Sequence, residues 1–240
     1  MYNKKLNKST LGIVGFVLII LMGCSPKENN SNETEIKENK TEQISNVENS
    51  PEPLEKSSAE ILRDLANQEF SIEEDQMSDA SETIVNFGKA FVNLYSGAVA
   101  EQETVSFKNY ISNENLLKFT NKMLELEKKK ELKGGIGVSF GLKNEFKDVE
   151  FKKMDENLYY LTLPFSYQGS GWGCKMLVQS EYKSLKIVDV YFGNKDGVDT
   201  IVTGHPADRK LDNPKLWHEQ QWVNAVFEKL EQYETELLSM

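Results

Sequence analysis

Read by polarity alone, the chain changes character four times. Leu11 to Met22 is a run of 12 residues without a polar side chain. Ser25 to Ser58 is the reverse: crowded with Asn, Glu, Lys, Ser and Thr, it offers only Ile36, Ile44, Val47 and Leu54 as isolated aliphatics. From there to about Leu132 apolar residues recur at spacings of three and four, the period of an amphipathic helix. Between Ile136 and Thr203 the period falls to two, the signature of half-buried strands. A final helical pattern closes the chain.

The first helical stretch, Ser57 to Phe70, opens with Ser57 and Glu60 at capping-box spacing and carries Ile61, Leu62, Leu65 and Ala66 on one face. It reads as a short, loosely attached helix, set off by the acidic run Glu73-Glu74-Asp75. A firmer helix runs from Asp79 to Gly97, with Ser78 or Asp79 as cap, a stripe of Ile84, Phe87, Phe91, Leu94 and Tyr95, and Gly97 as its stop. Ser112 is the candidate cap of a third, Asn113 to Leu132, with Leu116, Leu117, Phe119, Met123, Leu124 and Leu126 on its apolar face. Lys128, Lys129, Lys130 and Lys133 gather at its far end, where the helix dipole favours solvated cations, and Gly134-Gly135 ends it. The last helix, about 214–238, has Asn213 as cap and Pro214 at the first helical position. Its face of Leu216, Val223, Phe227, Leu230 and Leu237, widened by Trp217, Trp222 and Tyr233, suits packing across a sheet or over its open mouth.

Strands are expected at Ile136–Leu142, around Val149 and Phe151, at Tyr159–Tyr167, from Trp172 to about Tyr182, and at Leu185–Phe192, with Val198–Thr203 as a short sixth. Pro164 implies an edge or a bulge. Connections this short force antiparallel pairing, because a parallel crossover needs a dozen residues or more. The class is therefore α+β: N-terminal helices packed on a curved antiparallel sheet of five to six strands, then a closing helix. Residues 59–240 form one domain, with its core at about 79–203, and are long enough to bury a real core.

Charge narrows the partners. The chain has 28 Lys and Arg against 38 Asp and Glu, a net charge of −10. Loss of Lys4, Lys5 and Lys8 with a cleaved leader would take the remainder to −13. Such a chain is repelled by an anionic membrane surface and lacks the basic face that nucleic acid requires. There are two cysteines, Cys24 and Cys174, so no disulfide forms within the domain. Cys174, in a strand with no histidine near it in sequence, reads as a buried inert thiol.

The opening residues carry the most specific chemistry. Three lysines precede an apolar core too short for a bilayer span, which needs about 20 residues. Leu21-Met22-Gly23-Cys24 then resembles the lipobox of bacterial lipoproteins, with Met22 in place of the more usual Ala or Ser. That resemblance implies cleavage of signal peptide 1–23 after Gly23 and a diacylglyceryl group on the Cys24 thiol. Residues 24–58 become a lipidated N-terminus and a disordered tether, with a reach of about 30–35 Å. Abundant Lys, Asn, Glu and Ile suit a low-GC Gram-positive bacterium, the domain held by its acyl chains on the outer side of the cell membrane. Further along, Phe87-Gly-Lys-Ala-Phe-Val-Asn-Leu-Tyr95 and the order of helices and strands resemble the cone-shaped nuclear-transport-factor-2-like fold. That fold implies a concave pocket and no shared catalytic set.

No nucleophile triad, phosphate loop, HExxH or paired-cysteine site is present. His205, Asp208, Arg209 and Asp212 share one loop, but a single histidine with two aspartates lacks a matched ligand pair for a metal. Asn194-Lys195-Asp196-Gly197 lacks the alternating ligands of a calcium loop. No catalytic, cofactor or metal residue is therefore assigned, and no role is given to His205 or His218. The expected function is a surface lipoprotein with a binding or scaffold role, its partners the membrane through Cys24 and an envelope component. The alternative is a pocket-based small-ligand carrier or enzyme, with Tyr160, Glu181, Asp189 and Tyr191 as candidate lining, or an accessory subunit of a membrane machine.

Overall fold

The computed structural model describes residues 55–72, 80–134, 142–167, 170–193 and 197–239. The leader, Cys24, the polar tract to residue 54, the Ser78 and Asp79 caps and the strand positions Ile136, Val138 and Phe140 lie outside them. Among the described residues the fold is α+β, with five helices and five antiparallel strands. In chain order these are α1 (Ser58–Asn67), α2 (Ser81–Ala100), α3 (Glu114–Gly134), β1 (Glu145–Phe146), β2 (Glu150–Asp155), β3 (Leu158–Tyr167), β4 (Ser170–Glu181), β5 (Ser184–Phe192), α4 (Val198–Thr203) and α5 (Gln220–Ser239).

In the sheet, β4 lies between β3 and β5, and the other edge of β3 pairs with β1 and then β2. Those two act as one strand interrupted at 147–149. Pro164 sits at the interruption: its carbonyl accepts the Lys147 N–H at 3.2 Å. The N–H and C=O of a strand residue point the same way, so proline's missing donor falls where the ladder is already broken. The inner face carries Tyr159, Leu161, Leu163 and Phe165 of β3 and Cys174, Met176 and Val178 of β4, all buried.

A second irregularity matters more. Leu177 pairs with Asp189 but Val178 with Ile187, leaving Val188 as an extra residue in β5. The bulge shifts the phase of the alternation. Leu185 and Ile187 belong to the main core before it, and Val190 and Phe192 after it. Asp189 and Tyr191 are thereby sent to the opposite face.

Helix α2 lies directly on β3 and β4. Gly88 permits the approach, since a Cβ there would stand 2.8 Å from Leu161 Cδ1 and 2.9 Å from Leu163 Cδ1. Its stripe, Ile84 to Tyr95, is buried as expected. Phe87 and Phe91 meet Tyr110 with ring centroids 5.3 and 5.7 Å apart, contacts worth about 0.5–1.5 kcal/mol each beyond area burial. Gly97 does not stop the helix, which runs on to Ala100. Its role is clearance: Leu62 Cδ2 and Leu142 Cδ2 would lie 2.8 and 3.1 Å from a Cβ at this position.

The capping box of α1 forms as the spacing predicts: Ser57 Oγ accepts the Glu60 N–H at 3.3 Å and Glu60 Oε2 accepts the Ser57 N–H at 2.9 Å. The helix is not loosely attached. Leu62 is buried, and Tyr110 Oη and Asn109 Nδ2 donate to the Leu65 and Ala66 carbonyls at 2.8 and 2.9 Å. On α3 the cap is Asn113, not Ser112; its Oδ1 accepts the N–H groups of Asn115 and Leu116 at 2.9 and 3.0 Å. Nor are its terminal lysines simply solvated. Lys129 pairs with Glu234 of α5 at 2.7 Å, Lys133 donates to the Leu237 carbonyl at 2.6 Å, and Lys128 donates to the Glu103 carbonyl.

The segment 198–203, expected as a strand, is the helix α4. Its β-branched residues favour a strand locally, but the segment meets the edge strand β5 through a side chain and not through a ladder. The Phe192 N–H is already taken by Asp199 Oδ2 at 2.8 Å, and burial of Val198 and Val202 holds the turn. Tertiary context overrides propensity. The closing helix also starts later than expected. Asn213 Oδ1 accepts the Lys215 N–H at 2.9 Å, a 3-10 turn follows at Leu216–His218, and α5 begins at Gln220. The turn drives Trp217 inward onto Phe119, at 4.9 Å between centroids. From there α5 packs on α3 and α4 instead of crossing the sheet.

Candidate functional site

Two buried aspartates on either side of the β5 end organise the polar interior. Asp189, sent outward by the bulge, accepts Arg209 Nη2 on both oxygens at 2.6 and 2.8 Å, the Trp217 indole N–H at 2.8 Å and the Val190 N–H at 3.0 Å. Burial pushes its carboxyl up, and the guanidinium and the two N–H donors oppose that. Every one of these donors needs the ionised carboxylate as acceptor. Arg209 also lies over the Trp222 ring, 5.3 Å from its centroid. This is a clamp that fastens the loop before α5 to the sheet.

Asp199 has no such partner. It is 1% exposed, and among the described residues its oxygens accept only the Phe192 N–H and the Thr203 hydroxyl, the latter at 2.6 Å. Burial raises its carboxyl to about 7, against weaker pulls from Thr203, the Phe192 N–H and Arg209.

Asp199 faces a crevice between α2, α3 and the end of the sheet. From the helices come Tyr95, Ser96 and Val99 of α2 and Met123 and Glu127 of α3; the sheet supplies Phe165, Trp172 and Phe192. Tyr95 stacks on Phe192 at 4.4 Å between centroids. Glu127 Oε1 accepts the Val198 N–H at 3.2 Å, and burial raises its carboxyl too, opposed by Lys130 and that N–H. The Tyr95 hydroxyl, on a side chain only 6% exposed, has no hydrogen-bond partner among the described residues. Its pKa is pushed well above the usual phenol by burial and then by Glu127 and Asp199. The free interior of about 20 Å³ holds a water molecule or two.

Outside the crevice, and sharing Phe165 and Trp172 as wall, runs an open groove of about 370 Å³. Its floor has little side chain: Gly171, Gly173 and Gly193 line it. A Cβ built on Gly171 or Gly173 meets no atom within 4 Å among the described residues. Glu145, Lys147 and Pro164 form the far bank. An aromatic crevice with convergent polar groups, sharing the Phe165 and Trp172 wall with a neighbouring groove, has the general form of a small-ligand site.

The residues expected to line a pocket do not line this one. Asp189 belongs to the clamp. Tyr191 donates its hydroxyl to the Gly204 carbonyl at 3.1 Å and contacts Thr200 Oγ1 at 2.9 Å. Tyr160 follows Tyr159 onto the outer face, and Glu181 borders a separate polar groove with Asn113 and His218. Cys174 is buried, its thiol held neutral by burial. In the loop after α4, His205 Nδ1 accepts the Ala207 N–H at 3.3 Å, while Arg209 turns inward to Asp189. No three His, Cys, Asp or Glu side chains converge among the described residues. Of the residues that do line the site, Tyr95 was legible only as core and Glu127 only as one of many helix carboxylates; Gly171-Trp172-Gly173, with a bulky ring between two glycines in a strand, was the available signal.

Compared with protein-family models, with curated proteins and with solved structures, the chain matches none.

Proposed function

We propose that the protein is a membrane-anchored lipoprotein of the extracytoplasmic face whose domain binds a small ligand in the glycine-floored groove and the crevice behind it. The lipobox sequence and the acidic remainder support the anchoring half: acyl chains on Cys24 supply a membrane affinity that charge does not. The binding half rests on one observation, that an open groove and an aromatic crevice lie against the same Phe165–Trp172 wall. We read the closed end of the sheet as the mouth of a nuclear-transport-factor-2-like cone. Carriage fits better than catalysis, because no nucleophile stands beside a base in the crevice.

Gly173→Leu supplies the test. The added side chain enters open space, so the variant folds while the groove is filled. Ligand-observed NMR of a small-fragment set against both proteins should give hits on the wild type that vanish in Gly173→Leu. A hit list that survives the substitution unchanged would count against the site.

A further inference from the structure

The crevice has a sign. Its polar groups are two carboxyls, Glu127 and Asp199, and two hydroxyls, Ser96 and Tyr95. Among the described residues no lysine or arginine side chain lines it; Lys130 acts on Glu127 from outside the lining, and Arg209 is already committed to both oxygens of Asp189. The remaining walls present aromatic rings: Tyr95, Phe165, Trp172 and Phe192. Carboxylates and ring faces around one small void attract cations, the first by charge and the second by their quadrupole. An anionic ligand would be repelled by the same set.

A second observation is independent of the carboxyls. The Tyr95 hydroxyl is buried on the crevice wall without a partner among the described residues, an arrangement that is costly when nothing fills it. Ser96 by contrast is satisfied: its hydroxyl donates to the Val92 carbonyl at 2.8 Å and accepts from Asn144 Nδ2 at 2.7 Å. The orphan hydroxyl therefore has its accepting lone pairs open to a group from outside the described residues. The dimensions agree, since a void of about 20 Å³ takes a group the size of a water molecule, and an ammonium head is of that size.

We propose that the crevice seats the ammonium head of an organic amine, between Glu127, Asp199 and the Tyr95 hydroxyl, with the amine's apolar body lying along Phe165 and Trp172 into the glycine-floored groove. This rests on the reading of groove and crevice as a ligand site and adds the chemical class of the ligand. A primary amine fits best, because it brings three donors to acceptors on three sides while its carbon chain meets ring faces. Asp199 is held in its neutral form below about pH 7, so a cation binds more tightly once the medium removes that proton.

The test uses the full-length lipidated protein in nanodiscs at pH 8, with protein-free nanodiscs as blank, and three probes that share one body: n-butylammonium, n-butanol and butyrate. Calorimetric titration should show butylammonium binding at least about tenfold more tightly than butanol. Glu127→Gln should lower the butylammonium affinity about tenfold and leave butanol unchanged. Trp172→Leu, which keeps an apolar wall but removes the ring face, should do the same to a smaller degree. Butanol or butyrate binding as well as butylammonium, or full affinity in both variants, overturns the amine assignment, while loss of that binding in Gly173→Leu would leave the ligand site itself standing. Failure of all three probes to bind overturns both.

Discussion

Asp189 of β5 and Asp199 of α4 are buried on either side of the β5 end, and their partners separate their behaviour. Asp189 is fully bonded as an anion, so removing its charge strands Arg209, which is itself buried. Breaking a buried pair from one side costs about 3–5 kcal/mol. We expect Asp189→Ala to lower the urea-unfolding free energy by that amount, and Asp189→Ala with Arg209→Met to recover part of it. Asp199 works in the opposite direction. Its carboxyl rises from 3.8 to about 7 on folding, so the folded state holds a proton that the unfolded state has released. Its contribution is full below pH 3.8 and is lost as pH rises towards 7, by about 3 kcal/mol between pH 4.5 and 8 at 1.36 kcal/mol per unit. Thr203, the Phe192 N–H and Arg209 oppose the shift, while Asp189 adds to it and Glu127 titrates with the same sign. Asn at 199 keeps an acceptor for the Phe192 N–H and offers a donor to Thr203. Asp199→Asn should therefore gain on the wild type by about 3 kcal/mol on going from pH 4.5 to pH 8 in urea titrations. An equal pH dependence in both proteins would refute the unpaired carboxyl.

At the scale of elements, close approach and turn chemistry set the fold's tolerances. Helix α2 rests on the sheet through Gly88, where Gly88→Val would drive two methyl groups into Leu161, Leu163 and Met176; we expect a loss of about 2–3 kcal/mol in chemical denaturation. The β4–β5 hairpin is strained for another reason. Tyr182, wholly exposed, and Lys183 both hold positive φ, a conformation that suits Asn-Gly and costs other residues about 1–2 kcal/mol each. Tyr182→Asn with Lys183→Gly should raise Tm by about 2–4 °C for each kcal/mol released. These elements also show where sequence is informative. Helices α1 to α3 and strands β3 and β4 follow from period, because each buries one face and the period states which; β2 follows from Phe151, its one half-buried position, and β5 from its β-branched and aromatic run. The Ser57–Glu60 box follows from local hydrogen-bond chemistry. What escaped was tertiary: the single extra residue at Val188 that reverses a face, the β-branched Val198–Thr203 held helical by its neighbours, and the glycine that gives clearance instead of a stop. Apart from the Gly171-Trp172-Gly173 signal, the candidate site falls in that class, assembled from residues of three helices and four strands that no local pattern links.

For the whole molecule we propose a division of labour: the opening residues set where the protein is held, and the folded domain sets what it holds. Replacing Cys24 by Ala should move the protein from the membrane fraction to the medium without changing the thermal unfolding of the domain; retention in membranes would remove the lipid from the account. The central claim, that ligand enters the groove beside Trp172, has a more direct test. The chain contains three tryptophans, of which Trp172 walls both groove and crevice while Trp217 and Trp222 pack edge to face, at 4.6 Å between centroids, outside it. Fluorine NMR of protein labelled with 5-fluorotryptophan, titrated with butylammonium, butanol and butyrate, reads all three rings at once. The account predicts that the Trp172 resonance moves on titration, that the other two hold still, and that Gly173→Leu abolishes the movement. A Trp172 resonance unmoved by a probe that demonstrably binds the protein would contradict it.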